Sequence, residues 1–230
     1  MGHARAPDAL IAALVERRRT CDQAALMKRE AIGLQVSLDV AGRRALVIGG
    51  GAVAEDKTLR LLDGEAAVTV VTETPSAALV ALGAAGRIDL EQRALRDSDC
   101  TSADLVLVCE HDAALARRVA ALVAVGGGAL WADDDPEVSH FAMPALARLG
   151  RARIAVSTAG GAPALASRVR VALERDLGVS FARFVDELAA ARAAILVEEP
   201  DRDRRRDRLR ALLEGFELEL RARYPRRQGP

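Results

Sequence analysis

Short apolar runs alternate with longer stretches of helical spacing through the middle of the chain. Ala45–Ile48, Ala67–Val71, Leu105–Val108, Ala129–Ala132 and Ile154–Val156 carry no charged side chain. Runs so short and so uniformly apolar are expected as strands covered on both faces, since a half-exposed strand would alternate with polar residues. Between them, Val53–Leu62, Ser76–Ala85 and Ala113–Val125 repeat apolar positions every three or four residues, as helices lying on a sheet do. The strand–helix alternation predicts a parallel, doubly wound α/β domain. After Pro163 three helices are expected, Ala164–Leu177, Phe181–Val197 and Arg204–Tyr224, parted by Gly178 and by Glu199-Pro200. The second aligns Phe184, Leu188, Ala191 and Ile195 on one stripe, which suits packing within the chain or across a dimer. Leu10–Leu26, with Arg17, Arg18 and Arg19 in its middle, makes residues 1–33 a helical N-terminal extension.

Charge and cysteine content narrow the classes. Lysine plus arginine number 33 and aspartate plus glutamate number 33, a balance that argues against a surface built for nucleic acid or anionic lipid. No apolar run approaches the roughly 20 residues of a membrane helix, and the N-terminus lacks the apolar stretch of a signal peptide, so no membrane partner is expected. Cys21, Cys100 and Cys109 are odd in number, widely spaced and form no C-x-x-C pair, which suggests neither a disulfide framework nor a structural zinc site and fits a reducing cytoplasm.

Chemistry enters at Gly49-Gly50-Gly51-Ala52-Val53-Ala54, which matches G-x-G-x-x-A directly after the strand Ala45–Ile48 and at the start of a helix. In such a turn Gly49 permits the bend, Gly51 lets the backbone approach a pyrophosphate, and Ala54 is small enough for close helix–sheet contact. The phosphates would rest on the helix N-terminus, where unpaired N–H groups and the helix dipole favour negative charge. Glu73 lies 22 residues beyond Gly51, where an acid binds a ribose 2′-hydroxyl and favours NAD over NADP. Residues 34–145 thus read as a Rossmann domain that binds NAD.

Four motifs in order then resemble the precorrin-2 dehydrogenase / sirohydrochlorin ferrochelatase family, the N-terminal module of siroheme synthases. They are Leu38–Arg43, Val47–Lys57 with its lysine, Asp134-Asp-Pro136 followed by Phe141-Ala-Met-Pro144, and Ser157–Ala166. The resemblance implies oxidation of precorrin-2 to sirohydrochlorin with NAD as hydride acceptor, and in some members insertion of ferrous iron to give siroheme. It also implies a homodimer, with residues 146–178 as a small dimerisation element and residues 179–230 as a C-terminal helical domain. Asp134 aligns with the family's catalytic carboxylate and falls just past the strand Ala129–Ala132, where open α/β sheets bind ligands. A carboxylate there can take the proton lost as hydride leaves. Asp133 and Asp135 read as turn residues before Pro136.

Ser157, Thr158, Gly160 and Gly161 open the last helix, where hydroxyls and amides can bind a substrate carboxylate or simply cap the helix. His140 is a further candidate for contact with the tetrapyrrole, against a structural role. Cys109 and His111 form C-x-H, too few ligands for a metal site. Arg93, Arg96 and Arg168 are candidates to hold substrate carboxylates. Two family asparagines are replaced by Ala116 and Trp131, and a lysine and a serine of the last glycine turn by Gly161 and Ala162. These changes thin the polar groups around the tetrapyrrole, which weakens the case for chelation more than for oxidation. A second reading is therefore a non-catalytic NAD- or tetrapyrrole-binding protein derived from the family.

Overall fold

A computed structural model describes residues 34–224. The expected N-terminal helix Leu10–Leu26 and Cys21 lie outside the described residues. The chain divides into two compact units, one ending at Met143 and one beginning at Pro144.

The first unit is a five-stranded parallel sheet of β1 (Arg44–Ile48), β2 (Ala67–Val71), β3 (Asp89–Glu91), β4 (Leu105–Val108) and β5 (Ala129–Ala132), in the order β3-β2-β1-β4-β5. This is the doubly wound Rossmann arrangement that the alternation predicts. Helices α1 (Ala52–Asp63) and α2 (Ala77–Ala84) follow β1 and β2, and α3 (Asp97–Thr101) and α4 (Ala113–Gly126) follow β3 and β4. Successive strand residues point to opposite faces, so the sheet feeds two cores. Val47, Leu107 and Trp131 join Ala54 and Leu61 of α1 and Leu79 of α2 on one face. Ile48, Val106 and Leu130 join Cys100 of α3 and Val119 and Val123 of α4 on the other.

Helix starts are set by local polar chemistry. Ser76 Oγ accepts from Leu79 N–H at the start of α2, and Asp112 Oδ1 accepts from Ala114 and Leu115 N–H at the start of α4. Gly127, with φ +79°, closes α4 in the left-handed conformation that glycine adopts without strain. The β3–α3 connection is tied by Asp99, whose carboxylate takes both guanidinium nitrogens of Arg93, at 2.8 and 3.1 Å, and Arg96 N–H at 2.9 Å.

In the second unit β6 (Ala145–Leu149) and β7 (Ala152–Val156) form an antiparallel hairpin. It packs on α5 (Pro163–Glu198), and α6 (Arg202–Ala211) follows. The run Ile154–Val156 is thus not a strand of the parallel sheet covered on both faces. Its residues alternate between half-buried and exposed. Within α5 the chain leaves helical geometry at Gly178, where φ is +56°. The expected helix Arg204–Tyr224 stops at Ala211. Gly215 then turns the chain with φ +80°, and Phe216 stacks on Phe184 at 5.2 Å and meets Phe181 at 6.4 Å. Aromatic docking has replaced further helix.

Candidate active site

The glycine turn connects β1 to α1, and its three glycines have three different reasons. Gly49 is buried with φ +127°, a conformation L side chains rarely adopt, and a Cβ there would meet Glu110 Cγ at 3.2 Å and Cys109 Cβ at 3.3 Å. Gly50 is held by the chain after β2: its carbonyl accepts from Ser76 N–H, and a Cβ would lie 2.1 Å from the carbonyl oxygen of Thr74. Gly51 has ordinary φ of −94° and nothing within 4 Å of a built Cβ. Packing inside the protein therefore does not explain Gly51, whereas a ligand resting on the backbone would. No side chain caps α1, and the first amides of a helix without such a cap are left to solvent or a ligand. Exposed Ala52, half-buried Val53 and fully buried Ala54 complete the turn, with Ala54 against the sheet as close packing requires. These residues fit a dinucleotide pyrophosphate.

Glu73 stands in the connection after β2, exposed, with its backbone carbonyl accepting from Gln92 Nε2. Beside it Thr72, buried, accepts the Thr74 N–H through Oγ1 and stiffens the bend that grips Gly50.

The strand order reverses between β1 and β4, and ligands of such sheets sit outside the carboxyl ends at that point. The ends of β4 and β5 bring Cys109 to Asp112 and Asp133 to Asp135 to the same rim as the glycine turn. Asp134 is exposed with φ +57°. A non-glycine residue in that region is strained, though aspartate tolerates it better than most, and such strain is concentrated at functional positions. Asp133 N–H donates to Val108 O, and its Oδ2 lies 3.5 Å from His111 Nε2. The turn is stitched to β5 by Ser139, whose buried hydroxyl accepts Ala132 N–H at 2.9 Å and donates to Asp135 O at 2.7 Å. His140 N–H donates to Leu130 O, and its Nδ1 accepts Leu130 N–H at 2.9 Å. The ring is thus engaged in prolonging the edge of β5.

Cys109 lies beneath Gly49, and burial pushes its thiol up to about 12, so it is neutral and unreactive at neutral pH. Lys57, 9% exposed, reaches Asp56 at 3.1 Å and lies 4.8 Å from the Trp131 ring centroid. Trp131 and Ala116, the two positions where family asparagines are absent, are both buried core residues on opposite faces. Arg93 is committed to Asp99 and Glu91. Among the described residues no cluster of His, Cys, Asp or Glu is suited to a metal ion.

In the second unit, Ser157 Oγ accepts from Ala159 N–H and Thr158 Oγ1 from Ala162 N–H, just before α5. Gly160, at φ +83°, and Gly161, whose N–H donates to Thr158 O, are exposed. Each hydroxyl spends an acceptor site on the turn and keeps its proton to donate.

Sequence reasoning passed over Ser139 and the His111–Asp133 pair. Ser139 carries no motif signal, and the pair joins residues of two strand ends that only the sheet order makes neighbours.

Residues 36–145 match the family described as "Putative NAD(P)-binding". A siroheme synthase from Gluconacetobacter diazotrophicus is 34% identical over 78% of this chain and 39% of its own length. One from Thioalkalivibrio sulfidiphilus is 32% identical over 77% of this chain and 36% of its own. The chain therefore spans well under half the length of these relatives. Among solved structures, the precorrin-2 dehydrogenase SirC is similar with a TM-score of 0.67 and 25% identity, over 79% of this chain and 89% of SirC. With the glycine turn, the D-x-P block and the sheet order in place, the chain belongs to the family that siroheme synthases share with the precorrin-2 dehydrogenase SirC.

Proposed function

We propose that the protein oxidises precorrin-2 to sirohydrochlorin, with NAD as hydride acceptor. The observation that carries this reading is the juxtaposition, at one rim of the sheet, of the open space over Gly51 and the strained Asp134. NAD supplies the hydride acceptor. The chain's own part is to hold the pyrophosphate on the Gly49–Ala54 turn, to favour an unphosphorylated ribose through Glu73, and to take a proton on Asp134 as the substrate C–H bond is broken. Ser157 and Thr158 hydroxyls, with the Gly160 and Gly161 amides, are read as donors to a substrate carboxylate. His140 is read as a structural residue of the β5 edge. The C-terminal helices are read as the contact of a homodimer.

Purified protein with NAD and enzymatically generated precorrin-2 should yield NADH and the sirohydrochlorin spectrum in equal amounts; absence of both refutes the proposal and leaves the non-catalytic reading. Asp134→Ala should lower turnover by about 100-fold or more while leaving NAD affinity unchanged. A variant as active as wild type removes Asp134 from its role. Iron insertion has weaker support, because the two replaced asparagine positions are sealed in the core. A rate of ferrous iron insertion into sirohydrochlorin no faster than the spontaneous one would confine the protein to oxidation.

A further inference from the structure

Oxidation by hydride transfer leaves a proton behind, and a base that turns over repeatedly must give that proton away before the next cycle. In a dinucleotide crevice the half carrying the glycine turn and the ribose-binding acid takes the adenosine side, so the ends of β4 and β5 lie on the nicotinamide side. Those ends carry a pair that the proposed function leaves without a task. His111, on the loop between β4 and α4, places Nε2 3.5 Å from Asp133 Oδ2. The imidazole is 69% exposed while the carboxylate is 22% exposed, so the ring joins a shielded acid to the solvent side of the rim. Both members are fixed by backbone: Asp133 through its N–H to Val108 O, and His111 by the adjoining Asp112 cap of α4. Asp134 follows Asp133 directly in the same turn. The other charged groups of this rim are Glu110 and Asp112 beside His111, Asp135 in the β5 turn, and Asp56 and Lys57 on α1, the last already held by Asp56 and Trp131.

We propose that His111, oriented by Asp133, is the proton exit of this site. The inference rests on the dehydrogenase reading. The substrate loses two hydrogens: one leaves with its electron pair for the nicotinamide ring, and the other leaves as a proton through Asp134 and His111 to water. No further oxidant or reductant is consumed. Imidazole suits the step because it gains and loses a proton readily near neutral pH. Asp133 is a positioning residue, and neither it nor His111 touches the reacting carbon.

Two measurements test this. Labelling by diethyl pyrocarbonate, resolved by mass spectrometry over the three histidines of the chain, should slow several-fold at His111 when NAD is bound. His111→Ala should lower kcat about tenfold to 100-fold with NAD affinity and KM unchanged. Added imidazole should restore the rate in proportion to its concentration, which a merely structural residue would not allow. Asp133→Asn should fall less, and the double variant no further than His111→Ala. Full turnover in His111→Ala, a loss that imidazole leaves untouched, or labelling of His111 indifferent to bound NAD overturns the proton exit alone. A wild type that binds NAD yet oxidises no precorrin-2 overturns it together with the dehydrogenase reading.

Discussion

Strands β4 and β5 are buried at every position, whereas β6 is buried only at Ala147 and Leu149, and β7 is buried nowhere, with Arg153 and Ala155 exposed. The first unit encloses two cores, one on each sheet face. In the second, few large side chains are fully enclosed, Leu149, Leu173 and Ile195 among them, while Val179, Val197, Leu213, Leu218 and Leu220 are half or more exposed. A parallel sheet with helices on both faces satisfies its apolar residues by itself. A hairpin laid on one long helix does not, and its surplus apolar surface would need cover from elsewhere, which the homodimer proposed above would give. The cofactor turn, Asp134 and the His111–Asp133 pair all belong to the unit that needs no such help.

The largest expected effect follows from that contrast. Leu130 of β5, with no exposed surface, shares a core with residues of β4 and α4, and Leu130→Ala should destabilise the protein by about 3–4 kcal/mol in denaturant unfolding. Leu173→Ala in α5, where the side chain is 9% exposed, should take away about 2 kcal/mol. Equal losses would mean that the second unit is as tightly enclosed as the first, and the contrast would fail.

Neighbouring glycines sharpen the same division. Gly50→Ala drives a methyl group into the Thr74 carbonyl and should displace the 72–76 connection, lowering stability by about 1–3 kcal/mol and weakening NAD binding. Gly51→Ala meets nothing in the protein, so stability should change by less than about 0.5 kcal/mol while NAD binds roughly tenfold more weakly, equivalent to about 1.4 kcal/mol. Calorimetric unfolding beside NAD titration distinguishes them. Unchanged affinity in Gly51→Ala would reduce the turn to an ordinary strand–helix connection.

Much of the first unit was legible because burial on both faces leaves an unambiguous trace: β2, β4 and β5 coincide with uncharged runs in the sequence. Strand β3 was not, since Asp89-Leu-Glu91 has three residues and two charges, and only pairing with β2 makes it a strand. Strand β6 is masked by Arg148, whose backbone N–H is met by Glu174 of α5. The cofactor half of the site lies on one continuous segment and so could be read from spacing. The far rim could not, because His111 and Asp133 are 22 residues apart and meet only where β4 pairs with β5.

The smallest effect concerns charge. Ion pairs of the second unit, such as Arg151–Asp186 and Arg208–Glu198, are more than a third exposed on both side chains and should contribute little. Asp99 in the first unit is different, with three donors on one carboxylate and 15% of its side chain exposed. The hydrogen bonds from the Arg93 guanidinium, joined by the Arg96 N–H, hold its carboxyl below the usual carboxylate range, against the opposing effect of burial. A carboxyl depressed on folding contributes stability above its unfolded value, about 3.9, and that contribution is lost as pH falls through the folded value. Asp99→Asn should therefore unfold about 0.5–1 kcal/mol more easily than wild type at neutral pH, a scale set by partly solvated charged bonds. The gap should hold from pH 8 down to about 5 and close below about 4. A gap that persists in strong acid would show that Asp99 acts through its shape, and the β3–α3 tie would then owe nothing to charge.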